Sequence, residues 1–237
     1  MRAVILMACV AFVLSAQGRQ VSARVPLVGC AGDGMLGPVE APQGAALRLP
    51  IPAAAAARLA YYKSAPEIGV LAPRGWHCYY EYGSGGYTLL VSPEPIDQER
   101  NLPGAGIDLT FHNGMNSGRI QVAEVIARVF PSRMSFVAEV RTVHELQEGA
   151  FPVGPFATDR LTRRGERVVE FVTPAGAEGL GTRSRLSKGK GGAISGVTIL
   201  QDDVPNILQL SVRLPDGMQG LTAIVIGQLE REAAKLR

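Results

Sequence analysis

Long apolar runs, histidine, tryptophan and cysteine are all scarce in this chain. After residues 3–15 no stretch is long or apolar enough for a membrane helix, which needs roughly 20 residues. The only histidines are His77, His112 and His144. They lie far apart, and His144-Glu145 is not followed by a second histidine at the helical offset of a zinc site, so no metal is expected. Asp202-Asp203 reads as a solvated turn, and Glu94, Asp97 and Glu99 as a charged loop. No carboxylate pair has a spacing that implies acid–base work. A Gly-x-Ser-x-Gly elbow is absent, and the Gly/Lys run at 188–192 lacks Walker spacing, so neither points to an enzyme or a nucleotide cofactor.

What the chain does have begins at its start. Arg2 precedes AVILMACVAFVLS, an apolar run that suits the core of a secretory signal. Small residues at Ala16 and Ala23 offer cleavage sites, so residues 1–23 are expected to be a signal peptide and the rest to be periplasmic or secreted. Leu27-Val28-Gly29-Cys30 has lipobox letters, but polar residues separate it from the apolar run, which argues against lipidation. Removing 1–23 takes away Arg2 and Arg19 and no acid, leaving 22 basic against 21 acidic side chains. That near balance argues against a nucleic-acid partner. About 210 residues remain, enough for one domain.

Cys9 leaves with the signal, so Cys30 and Cys78 remain, and two thiols in an exported chain are expected to pair. A rival reading makes Cys78 a nucleophile. Adjacent His77 is badly placed to activate it, because neighbours on a strand face opposite ways. Only six residues separate His77 in GWHC from Ser84 in YGSGG, against a serine-protease arrangement. The Gly83–Gly86 run reads instead as a hairpin turn.

Hydrophobic spacing orders the elements. Residues 24–62 read as an extended N-terminal arm, with an edge-like strand and a helical turn over the alanine run. Strands are expected at 68–72, 76–82, 87–92 and 107–111. A helix capped by Asn116 or Ser117 follows, turning Ile120, Ala123, Ile126 and Val129 inward, and Pro131 ends or bends it before a second helix with Phe136 and Val140 inward. Further strands are expected at 160–163, 168–173, 181–187, 194–201 and 206–214, and a last helix opens after Pro215-Asp216-Gly217. The order predicts an α+β fold with mostly antiparallel sheet over 63–237. A faint echo between IDLTFHNGMNSG and LQLSVRLPDGMQG suggests two similar halves, 63–148 and 149–237.

LAPRGW opening a strand, then hairpin, strand, helix, further strands and a final helix resembles the PsbP-type α/β/α sandwich over about residues 65–235. VLAPRGWHC, YGSGG and VIARVFP also resemble secreted proteobacterial proteins of unknown function. Neither resemblance implies a catalytic set, and fold analogy alone supplies no function.

One cluster carries chemistry. Arg160, Arg163, Arg164, Arg167, Arg183, Arg185, Lys188 and Lys190 fall on neighbouring segments. If those hairpins adjoin, Arg163, Arg164, Arg183, Arg185, Lys188 and Lys190 form a possible anion-binding patch. The alternative is a solvated face neutralised by Asp159, Glu166, Glu170 and Glu178. The expectation is a non-enzymatic accessory or binding protein holding an envelope protein or anionic polymer, with no cofactor. Its rival is a cell-envelope hydrolase using Cys78 or a dispersed His/Ser set.

Overall fold

Among the described residues, short runs of apolar and alternating side chains build thirteen strands, with α-helices between and after them. The computed structural model describes residues 22–64, 67–187, 191–201 and 204–236. In chain order the elements are β1 Ala23–Val25, β2 Leu27–Gly29, β3 Gly32–Gly34, β4 Leu47–Leu49, α1 Ala53–Ala56, β5 Leu59–Lys63, β6 Val70–Pro73, β7 His77–Gly83, β8 Gly86–Ser92 and β9 Gly106–His112. Then follow α2 Arg119–Val129, α3 Met134–Val143, β10 Arg160–Arg163, β11 Val168–Thr173, β12 Ile194–Gln201, β13 Asn206–Arg213 and α4 Thr222–Ala233. The fold is α+β and its sheets are mostly antiparallel.

Eight strands form the main sheet in the order β10-β11-β12-β13-β9-β8-β7-β3. All pairs are antiparallel except β3 with β7. Two smaller sheets, β1-β4 and β2-β5-β6, come largely from residues 22–63. On one face of the main sheet Leu89, Leu109, Val197, Ile199, Leu208 and Leu210 pack with Val225 and Leu229 of α4 and with Leu59, Tyr62 and Leu71 of the small sheets. The other face packs Leu90, Phe171, Leu200 and Ile207 against Val122, Ile126 and Val129 of α2 and Phe136 and Val140 of α3. Each of these side chains contributes about 1.5–3 kcal/mol by leaving water.

Pro131 ends α2 as its chemistry requires. It lacks an N–H and disfavours helical backbone at Phe130, whose φ and ψ are −123° and 68°. The other end differs from expectation. Neither Asn116 nor Ser117 caps α2; Gly118 does, without a side-chain bond. A Cβ on Gly118 would lie 2.3 Å from the Gly85 carbonyl, so only glycine lets the helix start close against the β7–β8 turn. Ser117 Oγ is engaged elsewhere, 2.8 Å from Ser84 Oγ.

The strand expected at 181–187 does not form. Leu180–Arg183 is one 3₁₀ turn. The physical reason lies in β12, whose two edges are already taken by β11 and β13, so residues 185–187 pair only with Leu102, through one isolated parallel bridge. Asp159 holds the turn instead, accepting from Thr173 Oγ1 at 2.6 Å and from the Leu180 N–H at 2.8 Å.

A Cys30–Cys78 disulfide is present, with Cα atoms 5.5 Å apart. It ties the segment between β2 and β3 to β7. Trp76, just before β7, is half-buried against the α4-side core, and its backbone N–H donates to Tyr62 OH at 3.0 Å. His77 is exposed on the face opposite Cys78. Among the described residues no helix is long and apolar enough to cross a membrane.

Candidate binding groove

Strand register carries a row of polar side chains across the α2 side of the main sheet. Thr198, Gln209, Thr110, Thr88 and Glu81 follow one another on β12, β13, β9, β8 and β7. Thr198 Oγ1 donates to Gln209 Oε1 at 3.3 Å, and Gln209 Nε2 donates to the Leu180 carbonyl at 3.3 Å. Thr88 and Thr110 hydroxyls lie 3.0 Å apart, and Thr110 donates to Asp108 Oδ1 at 2.6 Å. Buried polar groups are tolerated when bonded in this way. Ser211 Oγ, buried on β13 opposite Asp108, has no partner among the described residues.

Two adjoining hollows open above this row and share His112 and Gln121. The first, about 330 Å³, is lined by Glu81, Thr88, Thr110 and Arg185. The second, about 370 Å³, lies between α2 and the Leu180–Arg183 turn, with Gln209 in its lining and Glu124, Arg128, Phe156 and Arg183 around it.

Burial sets the charge states of two groups here. It pushes His112 down to about 4, so the imidazole is neutral at pH 7. It pushes Asp108 up, against the Arg185 N–H, the Thr110 hydroxyl and the Arg185 charge, which favour the carboxylate. Glu81 accepts an ion pair from Arg100 Nη1 at 2.5 Å and a longer one from Arg185 Nη2 at 3.5 Å.

The six basic residues singled out in the sequence do not share one surface. Arg183 and Arg185 are both exposed at the groove, with Arg183 Nη2 3.5 Å from Glu124 and from Glu178. Arg163 turns to the end of α2, where Nη1 donates to the Val129 carbonyl at 2.6 Å. Arg164 points to the opposite face and pairs with Glu170. There it lines, with Arg160 and Glu230, a separate cavity of about 420 Å³ under α4. Lys188 and Lys190 lie outside the described residues.

Arg128, Phe156, Gln121 and the polar row were not singled out in the sequence. The available signal was the run of polar residues at alternate positions, Asp108, Thr110 and His112 and then Gln209, Ser211 and Arg213. Their partners at the groove come from α2 and from the 150s segment, distant in the chain.

Cys78 is bonded to Cys30, and among the described residues no histidine hydrogen-bonds a serine or cysteine and no cluster of His, Cys, Asp or Glu suits a metal ion. What the geometry offers is hydrogen bonding and positive charge above a rigid sheet. Comparison with protein-family models, curated proteins and solved structures gives no match for this chain.

Proposed function

We propose that this chain is an exported, non-enzymatic binding protein of the cell envelope that holds an anionic polymer in the groove beside α2. The observation that carries this reading is the placement of Arg183 and Arg185, both exposed and held only by 3.5 Å ion pairs, over hollows whose lining joins hydrogen-bonding side chains to the carboxylates Glu81 and Glu124. Arginines so placed suit bidentate recognition of phosphate or carboxylate. The disulfide suits an oxidising compartment such as the periplasm, as does the apolar run at 3–15, which lies outside the described residues. An envelope hydrolase would need a free Cys78 or a His/Ser pair in contact; the engaged sulfur, and histidines that bond no serine or cysteine among the described residues, favour binding.

We read the layering as PsbP-like, supported by helices on both faces of the antiparallel sheet. The suggested halves adjoin through the β9–β13 pair, yet α2 and α4 return to opposite faces, which weighs against superposable repeats.

The test is capture of the oxidised, signal-free protein by immobilised phosphate-bearing envelope polymer at moderate salt. Capture that is saturable and lost on Arg183→Glu with Arg185→Glu, with the thermal melt retained, supports the reading. Unchanged capture by the doubly substituted protein ends it.

A further inference from the structure

Resting on the reading of this groove as a binding surface, we propose that its more enclosed hollow takes the oxyanion group of a small hydroxylated compound, clamped between Arg128 and Arg183. Arg128 makes no ion pair among the described residues. Its Nη1 donates to the Gly154 carbonyl at 3.2 Å, while its Nε is buried without a partner. A buried donor on a cation without an acceptor is costly, and a turn of the side chain that bares Nε to the hollow lets an incoming oxyanion relieve that cost.

The second guanidinium is poised to help. Arg183 reaches Glu124 and Glu178 only at 3.5 Å, long against the roughly 2.7–2.9 Å of a charge-assisted bond. Its donors are therefore available to a better acceptor. Both guanidiniums lie over the Phe156 ring, Arg128 Cζ at 4.1 Å and Arg183 Cζ at 5.6 Å from its centre. Stacking on one ring fixes where their donors point and favours cations with little other hydration. The lining itself sets two arginines against one carboxylate, Glu124, and Glu178 reaches Arg183 from outside it only at 3.5 Å.

The wall shared with the first hollow defines the rest of the ligand. Gln121 is exposed and its amide makes no hydrogen bond among the described residues; the His112 imidazole is likewise unpartnered there. Each offers a donor and an acceptor, the pairing that hydroxyl groups satisfy. A volume of about 370 Å³ lies within the roughly 300–1,000 Å³ of small-molecule sites. Phosphate esters and sugar acids share this chemistry, and the experiment separates them.

Titration calorimetry of the oxidised, signal-free protein with glycerol phosphate and with glucuronate, at millimolar concentration, is the test. The expected result is one saturable site for at least one probe, and the stronger arm names the oxyanion. Arg128→Gln and Arg183→Gln each weaken it roughly tenfold or more, as loss of a charge-assisted partner predicts. Arg164→Gln, on the opposite face, leaves it unchanged. Gln121→Ala, at an exposed position with no bond to lose, weakens the hydroxylated probe but not inorganic phosphate. Should Arg128→Gln fail to fold, Arg183→Gln and Gln121→Ala decide. Wild-type binding by these variants overturns the proposal. So does the absence of saturable binding by either probe: with polymer capture intact that outcome removes this inference alone, and with capture also absent it removes the binding reading too.

Discussion

The backbone N–H of Arg185 donates to Oδ2 of Asp108 at 2.7 Å, joining residues 77 positions apart. Through this bond the sheet interior holds the segment that presents Arg183 and Arg185. Asp108→Ala strips an acceptor from both that N–H and the Thr110 hydroxyl, at a cost of about 2–3 kcal/mol. Asp108→Asn keeps one acceptor and no charge, and costs less. Urea melts give the order wild type, Asn, Ala, and amide exchange at 183–187 quickens in the Ala protein. A wild-type melt for Asp108→Ala would contradict the bond's role.

His112 makes stability depend on pH in one direction. Burial lowers it from the ordinary 6.5 to about 4 in the folded protein. Between those values the unfolded chain binds the proton and the folded chain does not. Stability therefore rises with pH across that interval and is lost as pH falls through it, by about 3 kcal/mol at most. Asp108, pushed up, acts oppositely: its contribution declines as pH rises above the ordinary carboxylate range. Comparing urea midpoints of wild type and His112→Gln between pH 4 and 7 isolates the histidine. Wild type loses stability relative to His112→Gln as pH falls toward 4; parallel curves would rule the histidine out as the source.

The Cys30–Cys78 bond closes a loop of 48 residues. In the chain-entropy model such a loop stabilises by about 4 kcal/mol, or roughly 10 °C in Tm for a chain of this size. Cys30→Ala with Cys78→Ala, or a reductant, lowers Tm by that order. Alkylation of the untreated protein under denaturing conditions labels neither Cys30 nor Cys78. Labelling of Cys78 without reduction would refute the pairing and return a thiol to β7.

Strand bounds at β10, β11 and β12 are readable to the residue because Val168–Thr173 and Ile194–Gln201 are apolar runs cut off by polar or glycine-rich turns. The disulfide is equally legible, since only Cys30 and Cys78 remain after the first 23 residues. The stretch 181–187 is not, because its residues suit a strand while both edges of β12 are taken by β11 and β13. The same non-locality hides half the groove. Arg183 and Arg185 stand out in the sequence as charges, but Arg128 reads as the outer face of a helix. Nothing near Phe156 in the sequence says that two arginines stack on it. Gln209 and Thr110 sit at alternating polar positions of their strands, and only the packing of α2 on that face turns it into a groove wall.

Gly86 is where the turn after GWHCYYEYG depends on one residue. Its φ is +136°, and an added Cβ would lie 1.8 Å from the Phe111 carbonyl across the β8–β9 pair. Gly86→Ala therefore costs both backbone strain and displacement of β9, roughly 2–4 kcal/mol together. Gly83, at the other end of the turn, has nothing within 4 Å of that position, so Gly83→Ala is nearly neutral. Denaturant melts of the two single variants give the contrast. Equal stabilities would mean that the turn has another backbone path.

Placement rather than total charge decides capture in the proposed groove. Arg183 and Arg185 lie on the α2 side, whereas Arg160 and Arg164 line the cavity under α4 beside Glu170 and Glu230. Changing either pair to glutamine removes the same two positive charges from a chain that is nearly neutral without residues 1–23. Long-range attraction falls equally in the two proteins, and moderate salt screens it over about 8–10 Å. Contact with an oxyanion is lost in only one of them. The Arg183→Gln/Arg185→Gln protein is expected to lose about tenfold or more in polymer affinity at moderate salt, and the Arg160→Gln/Arg164→Gln protein to stay within about twofold of wild type. Equal losses in the two would assign capture to net charge and leave the groove without a part in it.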